Sequence, residues 1–173
     1  MYNRNWWDKI NVEKLFELAK PYLEKNDFGV AHTKRVFDVA KQNFKVKPEL
    51  QEITYTAIIF HDIGGSTIKD QYDKGPLIAS RVLEKNGCSS LFITQVCEII
   101  STHHEHLENP SEAFKTLYDS DRIVMFSSEE YPTYNSQKGF DWNKILNSIY
   151  TKKGRDIAKK QLAQRRKEQA TNK

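Results

Sequence analysis

The stretch that decides the fold is Ala57-Ile58-Ile59-Phe60-His61-Asp62-Ile63-Gly64-Gly65. Apolar residues run into two polar ones and then into a glycine pair. Counted from Ile53, residues Ala57, Phe60 and His61 fall at offsets of four, seven and eight, which is one face of an α-helix. Pro48 suits the first turn of that helix, and Gly64-Gly65 ends it. A histidine therefore closes an apolar stripe, and an aspartate follows it at the helix end. A lone histidine on such a face is ordinarily a hydrogen-bonded core residue. A carboxylate is harder to accommodate, because burying it without a partner costs several kcal/mol; it must be paired, protonated or bound to a cation.

Three more stripes are interrupted in the same way. His32 is followed by Val36, Val39 and Ala40 at helical offsets. Phe92, Val96, Ile99 and Ile100 lead to His103, and Phe114, Leu117 and Tyr118 lead to Asp121, with Met125 continuing the line. Apolar spacing of three and four dominates the chain, and alternating β-branched runs are short. The spacing predicts helices over 12–25, 28–46, 49–62, 76–86, 89–105, 112–127 and 142–168. Asp27 can cap the second of these, Gly87 closes the fourth, and Pro21 kinks or splits the first. Ser127–Gly139 has turn residues and no period and reads as a loop. The expected fold is an all-α bundle, one domain over 1–173, with a motif region at 28–127 and a basic C-terminal helix at 142–168.

Length and composition agree. At 173 residues, 38% hydrophobic and 29% charged, the chain can build a packed core, and no apolar run approaches the ~20 residues of a membrane span. Residues 1–10 carry no apolar secretory stretch, and two cysteines make no disulfide framework, so a reducing cytoplasm is expected. Charge is unevenly placed. Residues 151–173 hold nine Lys and Arg against Asp156 and Glu168, a net +7, which leaves −3 for residues 1–150. Nucleic acid is thus not an expected partner except through the basic tail, whose plainer reading is a solvated helix face.

Two imidazoles and two carboxylates converging from three helices would answer the desolvation problem that each poses alone. Such a donor set suits a divalent transition ion and leaves coordination positions for water.

His32, the His61-Asp62 pair and Asp121 follow the H…HD…D order, and the chain thereby resembles the HD superfamily of metal-dependent phosphohydrolases. His-Thr-Lys-Arg-Val at 32–36 resembles that family's H-x-x-R-V helix, the segment Ile-Ile-Ser-Thr-His-His at 99–104 its later histidine-bearing helix, and Asp-Ser-Asp-Arg at 119–122 its D-x-D-K/R segment. The resemblance implies an all-helical fold with a metal site in the helical core. It implies His32, His61, Asp62 and Asp121 as ligands of one divalent ion (Mn, Fe, Co, Ni or Mg), with Asp119 the competitor of Asp121. Gly65 and Ser66 stand where the guanosine-tetraphosphate hydrolases carry an acidic pair, and neither the Lys nor the G-Y-P signature of the cyclic-di-GMP phosphodiesterases is present. No histidine lies between His61 and His103, where many two-metal members place one, so a single ion is favoured; a second, through His103, His104 or His106, stays open.

The activity implied is hydrolysis of a phosphate ester of a small molecule, a nucleotide first among them. Asp62 would orient or deprotonate water, and His103 would bind a phosphate oxygen, protonate the leaving oxygen or ligate a second ion. Arg35, Lys74 and Arg122 are candidates for holding the phosphate, with salt bridging the alternative for each. Lys74 is expected in a rim loop, and His104 at the pocket mouth. Tyr131, Tyr134 and Trp142 are candidates for stacking on a base. Two other readings stand beside this one: a non-catalytic, metal-stabilised module whose basic tail binds RNA or a partner, and a diiron oxygenase of the same superfamily.

Overall fold

The computed structural model describes residues 11–27 and 29–171. Residues 1–10, where no secretory stretch is expected, Phe28, the expected first residue of the second helix, and Lys173 of the basic tail lie outside the described residues. Among the described residues there are nine helices and no strand: α1 Val12–Leu23, α2 Gly29–Asn43, α3 Pro48–Phe60, α4 Ile68–Lys85, α5 Ser90–Ile100, α6 Glu112–Val124, α7 Tyr131–Asn135, α8 Trp142–Ser148 and α9 Lys152–Thr171. The fold is all-α. No helix among these residues is long and apolar enough to cross a membrane. Packing divides the chain into two compact units, residues 1–117 and 118–173, with the boundary inside α6.

In the first unit α3 is the central helix. It packs against α1, α2 and α5, while α4 packs on α5. Its sequence explains the position: Ile53, Thr54 and every residue from Thr56 to Phe60 are buried, so α3 has no solvent face over its last turn. Around it lie Leu15, Ala19 and Leu23 of α1, Val36, Phe37 and Ala40 of α2, and Phe92, Val96, Ile99 and Ile100 of α5, all buried. Removing a large apolar side chain of this kind from water stabilises the fold by about 1.5–3 kcal/mol.

Helix ends follow local chemistry in most places. Pro48 occupies the first turn of α3, and Thr67 and Ser89 accept from main-chain N–H groups at the starts of α4 and α5. At the end of α4, Gly87 N–H bonds to Glu84 O and Cys88 N–H to Leu83 O, with Gly87 at φ +82°, a left-handed stop for which glycine has no steric cost.

Five expectations are corrected. Pro21 does not split α1, which runs through it in its last turn. Asn26, not Asp27, accepts from Gly29 N–H at the start of α2. The fourth helix begins at Ile68 rather than 76 and carries Pro76 inside it. Its N-terminal part is held by a close approach: a Cβ on Gly64 would lie 2.4 Å from Asp70 O and 2.8 Å from Gly75 N. That packing overrides the helix-breaking tendency of Gly75-Pro76. The segment 127–139 contains α7, with Pro132 in its first turn.

The fifth correction concerns the second unit, where 142–168 is two helices and not one. Ile149 is extended at ψ 125°. Asp119 of α6 accepts from Tyr150 N (2.7 Å), Thr151 N (2.9 Å) and Thr151 Oγ1 (2.6 Å), which holds the chain in the break. Thr151 Oγ1 in turn accepts from Gly154 N at the start of α9, and the Arg155 guanidinium donates to the carbonyls of Ile149 and Tyr150. The core of this unit is aromatic. Tyr131 stacks on Trp142 (ring centroids 4.7 Å apart, planes 17° apart), and Phe126 and Phe140 close on the same indole.

Candidate metal centre

His61 caps the C-terminus of α3 with helical dihedrals, and its ring turns back so that Nδ1–H donates to Ile58 O at 2.7 Å. A carbonyl can only accept, so the proton sits on Nδ1 and the neutral ring presents its Nε2 lone pair. His103 repeats the arrangement just beyond α5, where Nδ1–H donates to Ile100 O at 2.6 Å. Both rings are buried. Each helix thus uses its own last-turn carbonyl, one that has no partner within the helix, to aim an imidazole.

These two rings, His32 of α2 and the Asp62 carboxylate meet. His32 Nε2 lies 3.3 Å from His61 Nε2, and Asp62 Oδ2 lies 3.6 Å from the first and 3.4 Å from the second. Three atoms on a triangle with such edges can all lie ~2.1 Å from one centre, the usual distance from a transition ion to imidazole and carboxylate. On the other side of the carboxylate, Asp62 Oδ1 is 3.5 Å from His103 Nε2. Both of those atoms are buried and have no hydrogen-bond partner. A buried, unsatisfied carboxylate oxygen facing a lone pair is costly, and a bound cation or a proton between them removes the cost. The donor set fits a divalent metal.

Burial by itself would raise the Asp62 carboxyl. Positive charge on the His61, His103 and His32 rings, with a hydrogen bond from His103, outweighs burial and holds the group at about 2. With the rings neutral as ligands, a bound cation would supply that positive charge and keep Asp62 ionised. Its backbone is held as firmly as its side chain: Asn26 Nδ2 donates to Asp62 O at 2.9 Å, and Gly65 N donates to the same oxygen.

The HD domain family model matches residues 29–132, more than half of the chain. The chain belongs to the HD domain family. No curated protein and no solved structure matches it.

The HD pair and two of its companions from the sequence reading, His32 and His103, are thus in one cluster. His104 is beside them: Asp62, His103 and His104 each offer a ligand atom within 4.8 Å of the others. Asp121 is a buried residue of α6, and its Oδ2 is paired with Arg122 at 3.0 Å. Arg122 is mostly buried, with its guanidinium 4.6 Å from the Tyr118 ring; Asp121 and Tyr118 hold it charged against a burial that opposes charge. Asp119 faces the α8–α9 break, as described above. Burial pushes its carboxyl up, against the pull of the Thr151 and Tyr150 donors. Arg35 is half-buried on α2, one turn beyond His32. Lys74 is not in a rim loop. It lies on α4, exposed, 2.8 Å from Asp70 one turn back. His106 and Glu105 are exposed. Tyr131 and Trp142 are buried against each other, so they are core residues and not a base-stacking surface.

Three residues of the HD cluster's surroundings escaped the sequence reading. Gln71 is buried, and its Oε1 accepts from His104 Nε2 at 2.6 Å, leaving Nδ1 as the ring's lone-pair atom; Tyr72 OH accepts from His104 N. Asn26 ties Asp62 to the start of α2. Gln and Asn in polar stretches look like ordinary surface residues. The one available signal was that Gln71 falls four residues before Gly75, on the side of α4 that the glycines bring close to the HD turn.

Proposed function

We propose that this HD domain is a metal-dependent phosphohydrolase acting on a phosphate ester of a small molecule, with a nucleotide the favoured class. The observation that carries the reading is the buried pair of unsatisfied atoms, Asp62 Oδ1 and His103 Nε2, beside the converging nitrogens of His32 and His61. His32, His61 and Asp62 hold the ion. Asp121 is proposed as the fourth ligand, because it occupies the last place in the H…HD…D order and is buried. A divalent ion in such a site lowers the pKa of bound water and polarises a phosphoryl oxygen.

The protein's own groups complete the chemistry. Asp62 would orient the attacking water through Oδ1 and take its proton. His103, with Nδ1–H tied to Ile100 O and Nε2 3.5 Å from Asp62 Oδ1, would take that proton from Asp62 on Nε2 and pass it to the leaving oxygen. Arg35 and His104 are the favoured phosphate contacts, His104 because Gln71 fixes its ring. Arg122 serves instead to balance Asp121, and Lys74 is left with Asp70. The Asp62–His103–His104 group supports a second ion sharing Asp62. A reducing cytoplasm suits the free thiols of Cys88 and Cys97.

The test is a screen of phosphorylated metabolites against protein stripped of metal and reloaded with Mn, Fe, Co, Ni or Mg in turn. Ion-dependent phosphate release is expected, together with loss of both metal and turnover in Asp62→Ala while the helical circular dichroism remains. Equal turnover by the stripped protein would exclude the mechanism, and the metal stoichiometry separates one ion from two.

A further inference from the structure

We propose that the outer face of α9 docks on the phosphate backbone of a double-helical nucleic acid. α9 buries Gly154, Ala158 and Leu162, four residues apart, on one side. The opposite side carries Lys152-Lys153, Lys159-Lys160 and Arg166-Lys167. All six are exposed, and the pairs recur every seven residues. Seven residues are two helical turns, so neighbouring pairs are about 10.5 Å apart along the axis and stay in line. One acid, Asp156, lies on this arc and is paired with Lys152 at 2.6 Å. Lys152, Lys153, Asp156, Ile157 and Lys160 line an open depression of about 540 Å³.

The charge is local and not a property of the whole chain, since residues 1–150 sum to −3 against +7 for residues 151–173. The family match ends at residue 132, so α9 lies beyond it. The surface also selects its partner class. Ile157, part-buried at the edge of the arc, is its one large apolar group; Ala163, Gln164, Ala170 and Thr171 add no other and no aromatic ring. A single part-buried isoleucine is too little apolar surface to enter a bilayer, and there is no ring on which to stack unpaired bases. A straight row of cations instead complements a rod of uniform negative charge and binds it without regard to sequence.

The full chain is titrated by fluorescence anisotropy against labelled duplexes of roughly 20 base pairs, one RNA and one DNA, between about 50 and 200 mM salt. Binding is expected to be independent of base sequence, with log K falling against log salt at a slope of about −3 to −5. The comparison of the two duplexes identifies the preferred one. Replacing Lys159, Lys160, Arg166 and Lys167 together by Gln should weaken binding on the order of tenfold or more and bring the slope to about −1 to −2, with the thermal midpoint nearly unchanged. The pair Lys159→Arg and Lys160→Arg should bind as the parent does. Absence of binding at the lowest salt would overturn the proposal. So would an unaffected fourfold variant, a loss in the Arg pair, or tighter binding to a single strand or to phosphatidylserine-containing vesicles.

Discussion

The side-chain amide of Asn26 donates to the main-chain oxygen of Asp62 at 2.9 Å, and its own oxygen accepts from Gly29 N–H at the start of α2. One buried amide thereby sets the helix that carries His32 against the turn that carries Asp62. Asn26→Ala removes the acceptor of Gly29 N–H and leaves Asp62 O with Gly65 N–H alone, and should cost about 1–3 kcal/mol in urea unfolding. Metal affinity, read by competition with a chelator, should fall on the order of 10–100-fold, as for other groups that orient metal ligands. Unchanged affinity would mean that Asn26 matters for stability alone.

Asp119 and Asp121 stand two residues apart and should behave oppositely. Asp119→Ala removes the acceptor of Tyr150 N, Thr151 N and Thr151 Oγ1, and should destabilise the protein by about 2–4 kcal/mol while the metal content stays at the parent level. Asp121→Ala should lose the metal. Metal analysis of the two purified variants decides between them; a metal-free Asp119→Ala that is still folded would reverse the assignment.

Gly64 has no room for a side chain. An added Cβ would meet Asp70 O at 2.4 Å, Gln71 Cα at 2.6 Å and Gly75 N at 2.8 Å, all of them main chain. Gly64→Ala should therefore cost more than about 3 kcal/mol, by pushing α4 off the HD turn. Gly87→Ala meets nothing within 4 Å and suffers only from its φ of +82°, a cost of about 1–2 kcal/mol. Denaturant midpoints of the two variants check the difference.

Asp62 predicts how metal-free protein responds to acid. Its folded-state pKa, about 2, is below the ordinary 3.8. A depressed carboxyl contributes stability above the ordinary value and loses it as pH falls through the folded one. The stability gap between parent and Asp62→Asn should accordingly shrink as pH falls between about 4 and 2. Urea unfolding of both proteins across that range, in the presence of chelator, measures it; a gap that widens toward pH 2 would contradict the assigned direction.

Much of this molecule was legible without coordinates, and what was legible shares one feature. Helical periodicity, the caps at Pro48 and Gly87 and the apolar stripes ending at His61 and His103 depend on neighbours within about two turns, and the H…HD…D order is a sequence of residue types along the chain; a linear reading contains both. The desolvation argument then required the buried His and Asp residues to find company, which His32, His61, Asp62 and His103 do.

What only the tertiary structure decided depends on residues far apart in the chain. Gly75-Pro76 reads as a break, yet α4 runs through it, because Gly64 gives α4 a surface to pack on and that packing outweighs the local cost. The segment 142–168 reads as one helix, yet it breaks at Ile149–Thr151, because Asp119, more than thirty residues earlier, supplies better partners for those N–H groups than another helical turn would. Asn26 and Gln71 acquire their roles in the same way, from Asp62 and His104. Sequence by itself determined the helices and the identity of the HD pair; hydrogen bonds and close contacts across the fold decided where helices stop, which side chains hold the pair, and which carboxylate of the Asp119–Asp121 segment is spent on the backbone.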